Sequence, residues 1–75
     1  MSDTHHLDAT GLLCPLPVLK ARKRLAGLDA GAELTVSADD PAAIIDIPHF
    51  CVEAGHELIA RDLNGPVQTY VIRKG

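Results

Sequence analysis

One stretch constrains the fold more than any other: Gly-Leu-Leu-Cys-Pro-Leu-Pro, residues 11–17. Gly11 allows the backbone to turn sharply, because it adopts angles that are closed to other residues. Pro15 suits the first position of a helix, since its missing N–H would have lacked a partner there. Pro17 is tolerated in the first turn for the same reason. The stretch therefore predicts a turn that places Cys14 at or beside the N-cap of a helix.

The residue type at this helix start indicates a chemical use. A helix N-cap usually carries Ser, Thr, Asp or Asn, and cysteine is a poor structural substitute. The partial positive charge of the helix end favours an anion, so we expect a lowered pKa for the Cys14 thiol. The lowering should be moderate, because Pro15 and Pro17 remove two N–H donors. The alternative is a small apolar residue without chemistry, since free cysteine is often buried and inert.

Length and composition predict one small globular domain spanning residues 1–75, with residues 1–5 frayed. Apolar residues make up 47% and charged residues 23%, values typical of a soluble globular protein. Phe50 and Tyr70 are the only aromatic residues, so the core should be aliphatic. The net charge of −3 and the scarcity of aromatic residues argue against direct nucleic-acid binding.

The cysteine content and the absence of apolar runs favour a cytoplasmic location. No stretch of the chain is long and apolar enough for a membrane span, and the N-terminus lacks a signal-peptide pattern. Cys14 and Cys51 are too few for a disulfide scaffold, and thiols stay reduced in the cytoplasm. We therefore expect neither a membrane nor a nucleic acid as a direct partner.

The first half of the chain predicts a strand, a helix and a second strand. The first strand is expected over His6–Thr10 and the helix over Pro15–Leu28, ending near Gly27 and Gly31. Helical spacing predicts one buried stripe: Val18, Ala21, Leu25 and Leu28. The opposite face carries Leu16, Lys20, Lys23 and Arg24. Clean alternation predicts a half-buried strand over Glu33–Ala38.

A second helix is expected over Ala42–Ala54, started by Asp39-Asp40-Pro41 and ended by Gly55. Pro48 should either kink this helix or force a restart capped by Asp46. The predicted buried residues of this helix are Ile44, Ile47, Cys51 and Ala54, with Phe50 beside them.

Two strands complete the predicted fold, over His56–Asp62 and Val67–Arg73, joined by a tight Asn64–Gly65 hairpin turn. The order is β-α-β-α-β-β. This order predicts an α/β two-layer sandwich, in which a four-stranded mixed sheet carries both helices on one face.

The sequence resembles the TusA/SirA family of small sulfur-carrier proteins over nearly its whole length. Its Cys-Pro-x-Pro element is the specific match, and the remaining matches are closest to the TusA branch. The matching stretches are Leu7-Asp8, Gly11-Leu12, Cys14-Pro15-Leu16-Pro17, Asp39-Asp40-Pro41-Ala42, Asp46-Ile47-Pro48, Phe50-Cys51, Gly55-His56-Glu57-Leu58 and Ile72-Arg73-Lys74. The position between the two prolines, often polar or acidic in relatives, is Leu16 here.

The resemblance implies that Cys14 accepts sulfur as a persulfide from a cysteine desulfurase and passes it to a sulfur-relay protein. In the TusA branch the final product is 2-thiouridine in tRNA. The resemblance implies no cofactor beyond the transient persulfide on Cys14. It also marks Gly11, Pro15 and Pro17 as motif residues, and Asp8 as a residue expected to hydrogen-bond the Cys14 loop.

The sequence leaves three other functions open. A disulfide oxidoreductase usually has Cys-x-x-Cys, but Pro17 stands in place of the second cysteine. Cys51 is able in principle to resolve an oxidised Cys14, yet its position on an apolar stripe predicts burial. A regulatory interaction module, or a carrier for sulfur oxidation or cofactor synthesis, also fits.

No metal is expected, because His49, Cys51 and His56 lack any known ligand spacing.

A docking surface is expected along the exposed face of the first helix. Leu16, Lys20 and Lys23 project away from the buried stripe, with Arg24 on the same face, and run back from the cysteine-bearing end. Leu12 and Leu13 flank that end, and at least one should be exposed. An apolar patch continued by basic residues suits an electrostatically steered partner on an otherwise acidic protein.

Overall fold

A computed structural model describes residues 4 to 75. The elements are β1 (Thr4–Ala9), α1 (Leu16–Ala26), β2 (Glu33–Ala38), α2 (Ala43–Ala54), β3 (Glu57–Asp62) and β4 (Gln68–Arg73). Their order is the predicted β-α-β-α-β-β, and the two-layer α/β architecture is confirmed. Each element lies within two residues of its predicted bounds.

The four strands form one mixed sheet in the order β1-β2-β4-β3. β1 and β2 run parallel, with Ala9 opposite Ala38, whereas β4 pairs antiparallel with both β2 and β3. Leu34, Val36 and Ala38 are fully buried, so the predicted alternation of β2 is confirmed. The parallel β1-β2 pair requires a crossover, which α1 supplies.

The predicted fraying of residues 4 and 5 is wrong. Thr4 and His5 belong to β1, where the parallel register places them opposite Glu33 and Leu34. The pairing extends over the full length of β2, so the polar composition of this end does not prevent strand formation. The remainder of the frayed segment, residues 1–3, lies outside the described residues.

Helix α1 is shorter than predicted, because Pro15 is its N-cap and Gly27 its C-cap. Ala21 and Leu25 are fully buried, and Val18 and Leu28 pack half-buried against the core, as the stripe predicted. Pro17 is also buried, which the sequence did not indicate.

Helix α2 continues through Pro48 as one element, so the predicted restart at Asp46 is wrong. Pro48 lacks the N–H that would bond the carbonyl of Ile44, and the helix tolerates that single missing bond. The buried side chains are Ala43, Ile47, Phe50 and Cys51. Ile44 and Ala54 are exposed instead of buried, because Ala43 takes the core position at the N-terminal end of the stripe.

The predicted two-residue hairpin at Asn64–Gly65 is also wrong. A five-residue connection, residues 63–67, joins β3 to β4. Gly65 adopts a φ of 81°, and the backbone N–H of Asn64 donates to Asp62 Oδ1 over 2.9 Å. Pro66 has no N–H to offer a strand ladder, so regular pairing resumes only at Gln68.

Candidate functional site

Three connections meet at one edge of the sheet, which we call the Cys14 edge. Residues 10–15 follow β1, residues 39–42 follow β2, and residues 63–67 precede β4. The register places Ala9 opposite Ala38 and Ala38 opposite Gln68, so all three connections leave the sheet at the same level. Because β1 and β2 are parallel, α1 and α2 both begin at this edge.

Two aspartates hold the backbone of the connection that carries Cys14. The N–H of Gly11 donates to both carboxylate oxygens of Asp39, at 3.0 and 3.1 Å. The N–H of Cys14 donates to Asp40 Oδ2 at 2.6 Å. Gly11 has a φ of 78°, the left-handed conformation that a glycine adopts without strain. The cysteine backbone is therefore fixed from the neighbouring β2–α2 connection.

Asp8 acts at the start of the same connection. Its Oδ1 accepts hydrogen bonds from the N–H of Thr10 at 3.0 Å and from the Thr10 hydroxyl at 2.6 Å. These bonds hold the pKa of the Asp8 carboxyl below its ordinary value, chiefly through the hydroxyl. The expected contacts of Asp8 thus go to Thr10, whereas Asp39 and Asp40 hold the residues nearer to Cys14.

Asp40 joins the Cys14 connection to the core. Its Oδ1 accepts from the N–H of Ala42 at 3.1 Å. The predicted start of α2 at Asp39-Asp40-Pro41 is wrong in detail, because the N-cap is Ala42 and no side chain caps the helix. Its backbone carbonyl accepts from Gln68 Nε2 at 3.0 Å. Gln68 is buried, and its Oε1 accepts the hydroxyl of the buried Tyr70 at 2.7 Å. A continuous chain of hydrogen bonds therefore runs from the sheet interior to the backbone of Cys14.

The Cys14 thiol is exposed and hydrogen-bonded to a carboxylate of α2. Its Sγ donates to Asp46 Oδ2 at 2.9 Å, and the Cys14–Pro15 peptide bond is cis. The hydrogen bond to Asp46 raises the pKa of Cys14, and desolvation and the negative charges of Asp46 and Asp40 act in the same direction. The predicted lowering of this pKa is therefore wrong, because a direct carboxylate contact outweighs the dipole of a helix whose first turn offers few N–H groups.

A shallow groove of about 300 Å³ adjoins the thiol between the two helices. Its mostly apolar lining consists of Cys14, Pro15, Val18, Arg22, Asp46, His49 and Phe50. The Arg22 guanidinium lies 5.5 Å from the centre of the Phe50 ring, and His49 pairs with Glu53 one helical turn further on. The groove gives an approaching chain apolar contact area directly beside the sulfur.

The second cysteine has a different environment. Cys51 is 1% exposed and belongs to the core cluster, so its predicted burial is confirmed. Burial raises the pKa of its thiol to about 11. At neutral pH this thiol is protonated and shielded, which makes it a poor partner for redox exchange with Cys14.

Large apolar side chains are exposed in the connections and in the first turn of α2 that lie at the Cys14 edge. Leu13 is 70% exposed and Ile45 74%, while Leu12 packs half-buried against the core. Leu63 and Val67 bring further exposed apolar surface to the same edge from the β3–β4 connection. A patch of this kind on a small protein is typical of a site for transient contact.

The basic face of α1 is exposed as predicted. Leu16 is 44% exposed, and Lys20, Lys23 and Arg24 are also exposed. Lys20, Lys23 and Arg24 line a second groove, of about 540 Å³, between α1 and Leu7 of β1. The face therefore remains available to a partner, and its docking role stays a prediction.

Within residues 4 to 75, no three His, Cys, Asp or Glu side chains group in a way that would hold a metal ion. No helix of the same range combines the length and the apolar character that crossing a membrane requires.

Comparison with known proteins gives the family. The sequence profile of the family described as sulfurtransferase TusA matches residues 5–74. The chain belongs to this family. The match covers every element of the fold except the first residue of β1, and it includes the connection that carries Cys14.

A solved structure supports the same assignment. The chain resembles a SirA-like protein from Desulfitobacterium hafniense, with a TM-score of 0.81 and 29% sequence identity. The alignment covers 93% of this chain and 96% of that protein. The two-layer fold with its four-stranded sheet is therefore shared along nearly the whole length of both proteins.

The contact between Asp46 and the thiol does not follow from the sequence pattern. That pattern predicts a helix cap at Asp46 and no carboxylate beside Cys14, yet Asp46 lies within hydrogen-bonding distance of Sγ. The predicted topology does indicate this proximity, because two helices that follow parallel neighbouring strands begin at the same edge of the sheet. Asp46 lies in the first turn of α2, so this topology brings it toward the start of α1.

Proposed function

We propose that this protein is a sulfur carrier that receives sulfane sulfur on Cys14 and hands it to a downstream protein. The family match supports a sulfurtransferase role. The observation that carries the proposal is an exposed thiol at the edge of the sheet, with its backbone held by Asp40 and a groove beside its sulfur. Transfer between proteins needs such an accessible thiol and a contact surface, and little further machinery.

The chemistry is an exchange at sulfur. The Cys14 sulfur attacks the terminal sulfur of a persulfide on the donor, so a new Sγ–S bond forms while the donor's S–S bond breaks. The electron pair of the broken bond stays on the donor's inner sulfur, which becomes a thiol when it takes up a proton. The next acceptor thiol then attacks the terminal sulfur on Cys14 in the same way.

We propose a cysteine desulfurase as the donor and a sulfur-relay protein as the acceptor, with 2-thiouridine in tRNA as the final product. The exposed Leu13, which precedes Cys14 in the chain, and the groove beside the sulfur suit short-lived contacts with two partners in turn. Both cysteines are free thiols, and the carrier role needs Cys14 to stay reduced, so we propose that the protein works in the cytoplasm.

Loading with radiolabelled sulfur tests the carrier role. The protein is incubated with a cysteine desulfurase and [35S]cysteine and then separated on a non-reducing gel. Wild type and Cys51→Ala should carry label that a reducing agent releases, and Cys14→Ser should carry none. Label on Cys14→Ser equal to that on wild type would overturn the assignment.

Nucleoside analysis tests the pathway. Cells that lack the protein should contain less 2-thiouridine in their tRNA, and wild type should restore it while Cys14→Ser should not. An unchanged 2-thiouridine content in the deletion strain, combined with normal loading in vitro, would leave the carrier role intact and assign it to another sulfur pathway.

A further inference from the structure

We propose that Asp46 is a positioning residue that holds the proton of the unloaded Cys14 thiol and directs the sulfur lone pairs away from α2, toward an incoming donor. The inference takes the proposed carrier role of Cys14 as its starting point. It gives Asp46, which the sequence pattern predicts only as a helix cap, a role at the thiol.

Two hydrogen bonds restrain Cys14, one at its sulfur and one at its backbone. Sγ donates to Asp46 Oδ2 at 2.9 Å, while the N–H of the same cysteine is fixed on Asp40 at 2.6 Å. With one bond on the backbone and one on the side chain, both the position and the rotamer of Cys14 are restrained. The S–H bond then points at α2, so the sulfur lone pairs face away from that helix.

The charged groups around the thiol come from three elements. Asp40 belongs to the β2–α2 connection, Asp46 and His49 to α2, and Arg22 to α1. Arg22 lies over the Phe50 ring and His49 pairs with Glu53, so each of these two side chains has another contact. Asp46 is the carboxylate that contacts the sulfur directly. The raised pKa of Cys14 follows first from that contact.

Sulfur transfer removes the hydrogen bond between Cys14 and Asp46. The unloaded thiol and the donor persulfide react to give Cys14–S–SH and a donor thiol, and the proton leaving Cys14 balances the one gained by the donor. After transfer, Sγ carries no hydrogen and can no longer donate to Asp46. The contact therefore stabilises the unloaded carrier only. It also keeps an exposed thiol protonated, and so slow to react with small oxidants, until a donor is docked.

The test is the pH profile of thiol reactivity in the whole protein. Iodoacetamide alkylation of Cys14 is followed from pH 6 to pH 10 for wild type, Asp46→Asn and Asp46→Glu. Asp46→Asn should move the midpoint to lower pH and speed alkylation at pH 7 by about threefold or more, because the negative charge is gone. Asp46→Glu, which keeps the carboxylate, should return the midpoint toward that of wild type. Oxidation by hydrogen peroxide should follow the same order.

Asp29→Asn is the matched control. It removes the same charge from an exposed residue in the α1–β2 connection, at the opposite edge of the sheet, and should leave the profile unchanged. An Asp46→Asn midpoint equal to that of wild type in a folded variant, judged by circular dichroism, would overturn the inference. So would equal shifts in Asp46→Asn and Asp29→Asn.

Sulfur loading separates the two proposals. Asp46→Asn should still accept one sulfur from the desulfurase at completion, since Asp46 carries none itself. Failure of wild type to load would remove the carrier role, whatever the alkylation profile shows. Normal loading with an unmoved profile would remove only the role of Asp46.

Discussion

At the scale of single residues, the environment of each cysteine decides its chemistry. Cys14 is exposed, with a carboxylate at its sulfur, and Cys51 is 1% exposed within the core. Both thiols have a raised pKa, but the largest cause differs: it is the hydrogen bond to Asp46 at Cys14, and burial at Cys51. The two thiols therefore differ more in their exposure to solvent and reagents than in the direction of their pKa shifts.

Native alkylation should modify Cys14 much faster than Cys51, because a reagent reaches only the exposed sulfur. Cys51→Ala should lower the free energy of unfolding by about 1–2 kcal/mol through a small cavity, and should leave sulfur acceptance intact. Mass spectrometry of the native alkylated protein and urea unfolding measure the two effects. Similar alkylation rates for the two thiols without denaturant would contradict the assignment.

Pro17 combines a backbone role with packing. It lies in the first turn of α1 and its side chain is buried, so it supports both the helix start and the core. Pro17→Ala should lower the free energy of unfolding by about 1–2 kcal/mol and slow sulfur loading, because the Cys14 connection is less restrained. Chemical denaturation and the desulfurase assay measure the two changes. A variant with wild-type stability and loading would show that the second proline is incidental.

At the scale of elements, the Cys14 edge depends on residues from three connections and a strand. Gln68 of β4 bridges the hydroxyl of Tyr70 and the carbonyl of Asp40, and Asp40 in turn binds the N–H of Cys14. The packing of the sheet is thereby coupled to the backbone of a cysteine more than fifty residues away in sequence.

Gln68→Leu should break this coupling. The buried Tyr70 hydroxyl would lose its acceptor, which should cost about 1–3 kcal/mol of unfolding free energy. Backbone amide exchange should rise at Cys14, because Asp40 is held less firmly. Hydrogen–deuterium exchange measures that change, and unaltered protection at Cys14 in a folded variant would argue against the coupling.

The basic face of α1 is the element with the clearest docking prediction. Lys20→Glu with Lys23→Glu should weaken desulfurase binding, most visibly at low salt, because both side chains are exposed and steer an approaching partner. Small-molecule alkylation of Cys14 should not change. Normal sulfur transfer by the double variant at low salt would remove this face from the interface.

The elements were largely predictable, whereas the contacts between them were not. Alternation in Glu33–Ala38 and the stripe containing Ala21 and Leu25 are local patterns, and the structure follows them. The contact between Asp46 and Cys14 joins residues that are 32 positions apart, so it depends on how two helices are placed on the sheet. The dipole of α1 predicts a lowered pKa for Cys14 from local sequence alone. The contact with Asp46, which is distant in sequence, raises that pKa instead.

At the scale of the whole molecule, a histidine in the last third of the chain adds a pH dependence. Burial lowers the pKa of His56, with the charge of Lys74 acting in the same direction, and its Nδ1 accepts the N–H of Gly75 at 3.0 Å. The folded protein therefore favours neutral His56. The unfolded chain binds this proton first as the pH falls, so acid favours unfolding.

The free energy of unfolding should therefore fall as the pH drops through about 6.5, the ordinary pKa of histidine. The stabilisation is fully present above that value and is lost progressively down to the lowered pKa of the folded state. His56→Gln should show a smaller decrease across the same range. Urea unfolding at several pH values measures it, and an identical pH dependence in the variant would contradict the assignment.

The most direct test of the central claim locates the transferred sulfur on the chain. Protein loaded by a desulfurase is alkylated in the native state, denatured with excess reagent and digested with trypsin. The account predicts one extra sulfur on the peptide spanning residues 1–20, which contains Cys14, and none on the peptide spanning residues 25–61, which contains Cys51. Extra sulfur on the Cys51 peptide, or equal amounts on both peptides, would contradict the account.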